Sequence, residues 1–568
     1  GILARDNIKG AMFMASERKR FNLEELVAYE HAYGGKLDRK RQLQLIAFPV
    51  VMLGAYSYVL TQEVLVALVV ALVGVVVGYF LLLPRQVREN YYEASYIQRN
   101  LLINQLSQSM LDESRTFDRA LIIARDNIEG SIHEEDDDYN ELKHDLNVLI
   151  GQLILRPGKQ EIKRAFRDFE SAYAFDDLFV LFFEQIETKV LEGYVNEAVL
   201  SELMKQHNEL YRQQVAYNNK LNMRQKEFQI ITVVMAIILW FTSTQIVSAM
   251  GNEIKTAYFQ SPLGIGIAII FAVAYTLLLI FFYQHYFDRN LMALSSSRDR
   301  LVKLYEVKPY DDKQAEDVNK FRAKLTSRIA LATLSDKERK MIRKLNLSVV
   351  DEINFQRNRL IKTIFAFAFG LIVASLSHAV WVWAIPFVLA GFAYYMDYRK
   401  LNIALASWTL NREMAFAKFM RLLTPYLLSG VNNNDYRLFD QIGSRLNAEN
   451  DRRMVYQLLE SIRLNPGKEE PYTEFAQTFS GSPRAVTYMS SIYGVLHTTG
   501  SSAVIETLAK QADQEFMEQV TNIANKKAGK LGVISTMTFI VGMIPLLGML
   551  SGLLFITIKP LFSGGLGL

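Results

Sequence analysis

The sequence predicts an all-α polytopic membrane protein with about seven transmembrane helices and two homologous cytoplasmic helical-bundle domains. Three observations predict it: long uncharged apolar stretches, helical periodicity in the charged stretches between them, and a repeat that relates the two halves of the chain. One membrane-spanning helix takes about 20 apolar residues. With 21% charged residues in a chain of 568, a protein lying wholly in lipid is excluded.

The first two hairpins follow from the uncharged stretches. Residues 44–83 carry a single charge, at Glu63, and are twice as long as one span, so we expect a hairpin that turns near residues 61–63 and ends at residues 84–85. Residues 228–250 and 256–287 are uncharged apart from a possible charge on His285, and the turn between them includes Ser261-Pro262. These stretches predict a second hairpin.

The remaining membrane segments are less regular. Residues 363–396 have no formal charge and break at Ser377-His378, which predicts a third hairpin with short legs. Residues 531–558 are uncharged and contain Pro545. We expect this last segment to be one strongly tilted or kinked span. Because proline breaks the hydrogen-bond ladder of a helix, a short re-entrant hairpin is the alternative.

Positive charge predicts the orientation. The hairpin turns carry almost no Lys or Arg, whereas basic residues crowd the other ends of the spans, as at Arg39-Lys40-Arg41 and Arg399-Lys400. The positive-inside rule therefore places the long charged segments in the cytoplasm and the protein in the cell (cytoplasmic or inner) membrane. The first residues form no apolar signal-peptide core, so no signal peptide is expected.

The predicted organisation alternates membrane and cytoplasmic parts. The first half has a cytoplasmic N-terminal segment (1–43), hairpin 1 (44–84), cytoplasmic helical domain 1 (85–227) and hairpin 2 (228–288). A cytoplasmic helical linker (289–361) follows. The second half has hairpin 3 (362–396), cytoplasmic helical domain 2 (397–530) and a C-terminal transmembrane segment (531–568). Apolar residues recur at helical spacing in both domains, as at Leu102 and Leu106, and each is expected to hold five or six helices.

An internal repeat is the second organising feature. A Pro-Gly-Lys turn and a later Gly occur in the same order in both halves, and at a constant offset of 305 Leu203 matches Leu508 and Lys205 matches Lys510. Chance similarity of two amphipathic helices is the alternative explanation. The repeat landmarks are Pro157, Gly158, Lys159 and Gly193 in the first half, and Pro466, Gly467, Lys468 and Gly500 in the second.

Motifs of catalysis are absent from the sequence. It has no phosphate-binding loop, no His-x3-His pair and no Gly-x-Ser-x-Gly elbow. It has no cysteine, which excludes a disulfide scaffold and a thiol nucleophile. The apolar stretches lack the charged midplane residues of a pump. We therefore expect no enzyme, no catalytic or metal-binding residues, no cofactor and no nucleic-acid partner.

Five consecutive acids in domain 1 are the most distinctive charged feature. They are expected to form either a solvated loop or a docking patch for a basic partner surface. The acids are Glu134, Glu135, Asp136, Asp137 and Asp138.

Small residues within the apolar stretches are candidates for helix contacts. Spaced four residues apart, they allow helices to approach closely, either within one chain or between subunits. The candidates are Gly74, Gly78, Gly548 and Gly552.

The residues that follow resemble a known family, the type II secretion F-domain platform proteins. The run 419–430, which ends in Gly430, is similar to the opening of that family's domain, and Leu101–Leu111 is similar in the first half, with Asp112-Glu113 in place of the Gly. The basic run 523–530 before the last apolar stretch resembles the family's membrane-entering helix. The resemblance covers both domains and the spans around them.

Two departures narrow the resemblance. The general secretion branch often has a Glu beside the second Gly landmark, and residues 494–497 lack it. That branch also lacks a hairpin ahead of each domain. The hairpin–domain–membrane order resembles instead the tight-adherence pilus platforms, which come as two separate chains, and the archaeal filament platforms, including that of the archaellum, with two domains in one chain.

The resemblance implies a platform for type IV pilus-like filament assembly or type II secretion. It further implies that a hexameric secretion-type ATPase docks beneath the platform, that pilin-like filament subunits are lifted from the lipid bilayer, and that the platform is a homo-oligomer, a dimer or a trimer. The alternatives are a membrane subunit of a transporter driven by a separate ATPase, and a membrane enzyme.

Overall fold

The computed structural model describes most of the chain as helix. The described residues are 32, 39–110, 117–136, 138–155, 158–173, 176–193, 197–251, 259, 261–289, 291, 335–344, 349–375, 384–428, 435–446, 449–497 and 502–563. Within these ranges the only extended pairing is one isolated bridge between Ser131 and Tyr139. The predicted all-α class is therefore confirmed for the described part of the chain.

The helices are numbered in chain order. The first half contains α1 Arg39–Thr61, α2 Val64–Val76, a π-helical turn Val77–Leu82, α3 Leu83–Met110, α4 Phe117–Asp126, α5 Glu141–Ile154, α6 Lys159–Ala172, α7 Asp177–Glu192, α8 Glu197–Met250 and α9 Pro262–Tyr286. The second half contains α10 Asp336–Lys344, α11 Val349–Ser375, α12 Ile385–Leu428, α13 Asp435–Arg445, α14 Glu449–Leu464, α15 Glu470–Phe479, α16 Pro483–His497 and α17 Ser502–Ser563.

The chain divides into two compact units. Unit 1 comprises Gly1–Met292, Leu422–Leu438 and Ser502–Leu568, and unit 2 comprises Ala293–Arg421 and Phe439–Ser501. Helix α17, which ends the second half, therefore belongs to the same unit as α1–α9.

Five described helices are long and apolar enough to cross a membrane, and all five lie in unit 1. Their bounds are Leu43–Thr61, Val64–Ser109, Val199–Ala249, Gly264–Tyr286 and Ala503–Leu554. They correspond to α1, to α2 continued through α3, to α8, to α9 and to α17. This finding supports a membrane protein.

Both predicted turns of the first two hairpins coincide with helix ends. Helix α1 ends at Thr61 and α2 begins at Val64, and Gln62 between them has a φ of 56°. Ser261 caps α9 by accepting a hydrogen bond from the Gly264 amide, and Pro262 occupies the first turn, where proline is tolerated.

The third predicted hairpin is not among the membrane-length helices of the described chain, so the count of seven spans stays a prediction. Its legs are the apolar ends of α11 and α12, which pack closely where a Cβ on Gly370 would lie 2.5 Å from the Pro386 Cα. Its expected break at Ser377-His378 lies outside the described residues.

The C-terminal membrane segment is one uninterrupted helix. Helix α17 runs for 62 residues through Pro545, which is buried. The re-entrant alternative is therefore wrong, because a helical rise of about 1.5 Å per residue leaves no room for a reversal within a continuous helix.

Six helices follow one another in the same order in each half. We name α3–α8 the first series and α12–α17 the second series. In both, a long helix continues from an apolar stretch, four shorter helices follow, and a very long helix of 54 or 62 residues closes the series. The expected five or six helices per domain are confirmed for the described residues.

The core of the first series is aliphatic and aromatic. The rings of Phe169 and Phe183 lie 4.6 Å apart and those of Phe179 and Phe183 lie 4.8 Å apart. Leucines on α3, α5 and α8 surround them, including Leu102, Leu146 and Leu200. Burial of these side chains at helical spacing holds the four short helices between α3 and α8.

Candidate functional site

An ionic cluster lies where the membrane-length helices of unit 1 meet the first series. We name it the junction cluster; its members are Glu89, Glu93, Asn222, Asp288, Arg289 and Lys527, with Gln214 and Tyr217 around them. They come from α3, from α8, from the residues that follow α9, and from α17. Helices that are distant in sequence are therefore joined at one level.

Arg289 is the centre of the junction cluster. Its side chain is 9% exposed and its Nη1 atom donates to the Glu93 Oε2 atom at 2.9 Å. Its Nη2 atom donates to the Asn222 Oδ1 atom at 3.2 Å, and its guanidinium lies 4.9 Å from the centre of the Tyr286 ring. A planar guanidinium suits such simultaneous pairing and stacking.

Helix α8 also holds the backbone that follows α9. The Gln214 side chain donates to the Arg289 carbonyl oxygen at 2.6 Å and accepts from the Leu291 amide at 3.3 Å. The Tyr217 hydroxyl donates to the Asp288 carbonyl oxygen at 3.0 Å. These bonds satisfy backbone groups of the residues that follow α9.

Helix α17 joins the junction cluster through Lys527. Its Nζ atom lies 2.9 Å from the Asp288 Oδ1 atom, and the lysine side chain is 13% exposed. The bond connects the start of the last apolar stretch to the end of α9. A displacement of α17 along its axis would therefore be resisted at Asp288.

The junction cluster contains three acids and two bases. Glu89 lies on the charged part of α3, and its Oε2 atom is buried without a hydrogen-bond partner. Glu93 and Asp288 each pair with a base, Arg289 and Lys527 respectively. The two paired acids balance the two bases, so Glu89 is the carboxyl left over.

A second polar network lies inside the first series. Asp176 caps α7 by accepting from the Phe179 amide, and its Oδ2 atom lies 3.0 Å from the Arg99 Nε atom and 3.6 Å from the His207 Nε2 atom. The His207 Nδ1 atom lies 2.9 Å from the Asn100 Oδ1 atom. The network joins α3, α7 and α8 within the core.

The environment of Asp176 favours its charged form. Burial by itself would raise the pKa of this carboxyl, but the interactions with His207 and Arg99 and the Phe179 amide outweigh it and hold the pKa well below its usual range. The ionised carboxylate therefore contributes stability at pH values above about 4, which is lost as the pH falls through the lower folded-state pKa.

The acidic run lies at the surface of the first series, in the connection between α4 and α5. Glu134, Glu135, Asp136 and Asp138 are exposed, and Asp137 lies outside the described residues. The Lys143 Nζ atom donates to the Gly130 carbonyl oxygen at 2.8 Å, which fastens the base of the connection to α5. The acids are thus presented to solvent on an anchored loop, as both the solvated-loop and the docking interpretations require.

The repeat landmarks lie at corresponding helix ends. Both Pro-Gly-Lys sequences join the third and fourth helices of their series, at residues 157–159 and 466–468. Gly158 has a φ of −65° and begins α6, whereas Gly467 has a φ of 72°, so the two turns differ in conformation. Gly193 ends α7 in the left-handed region, with a φ of 82°, as a C-terminal cap. Lys159 and Lys468 are exposed, and Pro157 and Gly500 lie outside the described residues.

The candidate contact glycines divide into two pairs. A Cβ on Gly74 would lie 2.8 Å from the Val50 Cα, and one on Gly78 would lie 3.0 Å from the Ile46 Cα. These two glycines therefore let α1 approach α2 and the π-helical turn within the chain. Gly548 and Gly552 are half-buried on α17.

The junction cluster was not predicted from the sequence. Its members are spread from Glu89 to Lys527, and no local spacing relates them. The available signal was the charged pair Asp288-Arg289, which stands directly after an apolar stretch. Among the described residues, no three His, Asp or Glu side chains are grouped so that they could hold a metal ion.

Comparisons with known proteins give relatives of part of the chain. It is 27% identical to the uncharacterized protein pXO2-23 of Bacillus anthracis over 286 residues, which cover 50% of this chain and 97% of that protein. It is also 27% identical to the uncharacterized protein pXO2-22 of Bacillus anthracis over 183 residues, which cover 32% of this chain and 73% of that protein. No protein-family model matches the chain. No solved structure matches it either.

Proposed function

We propose that this protein is the membrane platform of a type IV pilus-like filament or type II secretion machine, coupling a cytoplasmic ATPase to the extraction and assembly of pilin-like subunits. One observation carries the proposal. Two series of six helices in the same order each end in one continuous helix, α8 or α17, that runs from short packed helices into a membrane-length apolar stretch.

A continuous helix at this boundary suits force transmission. At about 1.5 Å per residue, the 54 residues of α8 extend ~80 Å, so one rigid element reaches from the packed helices through a bilayer. A flexible linker at the same place would absorb displacement. The junction cluster adds lateral ties at this level, through Arg289 and Lys527.

The proposal places the short helices of both series in the cytoplasm. Basic residues flank the apolar stretches on that side, and the short turns near Thr61 and Ser261 carry few of them. Under the proposal, the two series are homologous cytoplasmic domains of a protein in the cell membrane, with the hexameric ATPase beneath them. A homo-oligomer of such platforms would surround the emerging filament.

The exposed acidic loop is the proposed docking surface for the ATPase. Four of its acids are solvent-exposed and the loop is anchored at its base. A cluster of like charge raises the association rate with a basic surface, and salt weakens the effect. The second series has only residues 446–448 between its corresponding helices, so docking would use the first series alone.

Co-purification tests the proposal. The full-length protein in mild detergent is incubated with the secretion-type ATPase encoded in the same genome, and the bound ATPase is measured as the salt concentration rises. We expect retention of the ATPase by the native chain at low salt. Replacement of Glu134, Glu135, Asp136 and Asp138 by Lys should reduce retention at least about tenfold, by ~1.4 kcal/mol.

A matched control reverses two exposed acids of the second series, Glu469→Lys and Glu470→Lys, which should leave retention unchanged. Loss of binding in the control as well would indicate a general charge effect. Equal retention by all three proteins at low salt would refute docking at the loop, and no retention by the native chain would refute the ATPase partnership.

The transporter alternative requires polar side chains that line a path through the spans. Two polar contacts, one within the described spans and one at their edge, hold helices together instead. The Gln62 side chain donates to the Ser243 hydroxyl at 2.7 Å, and the Tyr56 hydroxyl donates to the Thr232 carbonyl oxygen at 2.6 Å. The first connects the turn after α1 to α8 and the second connects α1 to α8, as expected of polar groups that bind helices in a membrane.

A further inference from the structure

Helices α8 and α17 pack side by side in unit 1. Near their beginnings, the Lys205 Nζ atom lies 3.5 Å from the Asp513 Oδ2 atom. Further along, the Lys220 Nζ atom donates to the Asn525 Oδ1 atom at 2.6 Å. Because residue numbers rise together along both helices, the two helices are parallel.

The pairing continues into the apolar stretches. A Cβ on Gly532 would lie 3.5 Å from the Arg224 Cζ atom, and one on Gly542 would lie 2.6 Å from the Met235 Cε atom. Glycines on α17 thus receive long side chains of α8. We name the whole contact, from Lys205–Asp513 to Met235–Gly542, the α8–α17 seam.

The register of the seam agrees with the offset of the sequence repeat to within one helical turn. Lys220 and Asn525 are 305 positions apart, and the other three contacts differ from this separation by less than one helical turn. Equivalent positions of the two halves therefore lie within one helical turn of each other along the seam. A parallel pair in which each residue faces its own equivalent is the geometry of an isologous interface, the kind that two copies of one chain form around a two-fold axis.

The two sides of the seam are nevertheless different. Where α8 contributes Lys205, Lys220 and Arg224, α17 contributes an acid, an amide and a glycine. Two α8 helices paired in this register would bring these cations against one another. Like charges across an interface oppose association, so α8 fits α17 better than it fits a second α8.

Buried residues at equivalent positions of the two helices are partly alike and partly different. At one pair of equivalent positions both helices bury leucine, Leu203 and Leu508. At another, α8 has the buried His207 and α17 has the buried Ala512. His207 contacts Asn100 and Asp176 of its own series, so only one copy carries this ring.

We propose that the α8–α17 seam is a subunit interface held within a single chain, and that α8 accepts as its partner a parallel, in-register helix of the α17 kind. Two half-length chains that carried these two helices would associate through the same seam. This inference rests on the repeat that the proposed function uses, but not on the ATPase or the filament. The relative pXO2-23 is itself about half as long as this chain, because a match over 50% of this chain covers 97% of that protein.

Cross-linking in the full-length chain tests the register of the seam. The protein has no cysteine, so introduced cysteines are unique reaction sites. A protease site is inserted after Lys308, and the chain carries Lys220→Cys with Asn525→Cys. After treatment with a short bismaleimide and cleavage, we expect most of the two fragments to remain joined on a denaturing gel.

The matched control combines Lys220→Cys with Lys510→Cys, an exposed position of α17. Lys510 lies 15 residues before Asn525, ~22 Å along the helix, so we expect about tenfold less joined product from this pair than from Lys220→Cys with Asn525→Cys. Equal yields from the two pairs would overturn the register.

A second experiment tests recognition between the halves. The cysteine-free chain is cleaved at the inserted site and passed over a sizing column in mild detergent. We expect the fragments to elute as one particle. Elution as two separate particles that both stay helical by circular dichroism would overturn the proposal.

The Lys220→Cys chain alone tests the choice of partner. Because α17 occupies the seam, we expect no covalent dimer between chains after oxidation or bismaleimide treatment. A covalent dimer would show that α8 pairs with a second α8 and would overturn the proposed partner. None of these results depends on whether an ATPase binds, so failure of the ATPase experiment leaves them unaffected.

Discussion

The two series of helices have the same order but close their cores differently. In the first, α7 is capped by a carboxylate, Asp176, which requires Arg99 and His207 as buried partners. In the second, α16 is capped by a hydroxyl, since the Ala485 amide donates to the Ser482 Oγ atom at 3.2 Å. At the position that corresponds to His207, the second series has Ala512. A buried carboxylate cap therefore needs buried basic side chains as partners, whereas a neutral hydroxyl cap does not.

Aromatic packing dominates the second series within unit 2. Phe419 lies 5.2 Å from Phe475 and 6.3 Å from Phe439, measured between ring centres, and Phe416 lies 5.7 Å from Phe479. Ring pairs of this kind stabilise a core without charge. The same order of helices is therefore compatible with a charged network in the core of one series and with aromatic packing in the core of the other.

The largest effect is expected from a substitution that breaks the charged network in the core of the first series. Asp176→Asn should lower the free energy of unfolding by about 3–5 kcal/mol, because it leaves the buried Arg99 without its carboxylate. Thermal unfolding in detergent, followed by circular dichroism, measures the change. Since the carboxylate stabilises only above the unfolded-state pKa of about 4, the difference from the native chain should shrink below that pH.

The control for this change is Asp168→Asn, which alters an exposed acid of α6 and should shift stability by less than about 0.5 kcal/mol. An Asp176→Asn protein as stable as the control would show that the network is dispensable.

The matching change in the second series removes a ring. Phe419→Ala should cost about 3 kcal/mol, because Phe419 is fully buried and its loss leaves a cavity. The cost should not vary with acidity, in contrast to Asp176→Asn. Tyr456→Ala, at a side chain 42% exposed, is the control in the same measurement. A cost for Phe419→Ala that falls with pH would contradict the contrast between the two cores.

A smaller effect is expected in hairpin 1. Gly74→Val should cost about 1–3 kcal/mol, because the new side chain meets the backbone of Val50 and Pro49 in α1. Gly266→Val, where a Cβ meets nothing within 4 Å, is the control on α9. Both variants are compared by thermal unfolding in the same detergent, and equal melting temperatures would show that the close approach of α1 and α2 is not required.

The smallest effect is expected at the junction cluster. Glu89→Gln should change stability by less than about 1 kcal/mol, because it replaces an unbalanced carboxyl by a neutral amide. Glu93→Gln should cost more, because it removes the carboxylate that pairs with Arg289. Melting temperatures of the two variants, measured side by side, show which substitution costs more stability. A larger loss for Glu89→Gln would show that Glu89 is the carboxylate that the cluster needs.

Some features were predictable because they depend on local sequence alone. The turn before Val64 and the Ser261-Pro262 start of α9 were found from charge and from proline chemistry, and the structure places helix ends there. A single span through Pro545 was expected, but the sequence left a re-entrant hairpin open. Proline permits either a kink or a break, and packing against α8 and α9 decides between them.

The sequence by itself determined the helical class, the positions of the apolar stretches and the order of the landmarks, because periodicity and charge are properties of neighbouring residues. Only the tertiary structure decided that Asp288 meets Lys527, that Asp176 meets His207, and that α8 lies in register against α17. Those contacts join residues from 31 to more than 300 positions apart. Their partners are selected by packing and by the cost of burying an uncompensated charge, and neither can be inferred from local spacing.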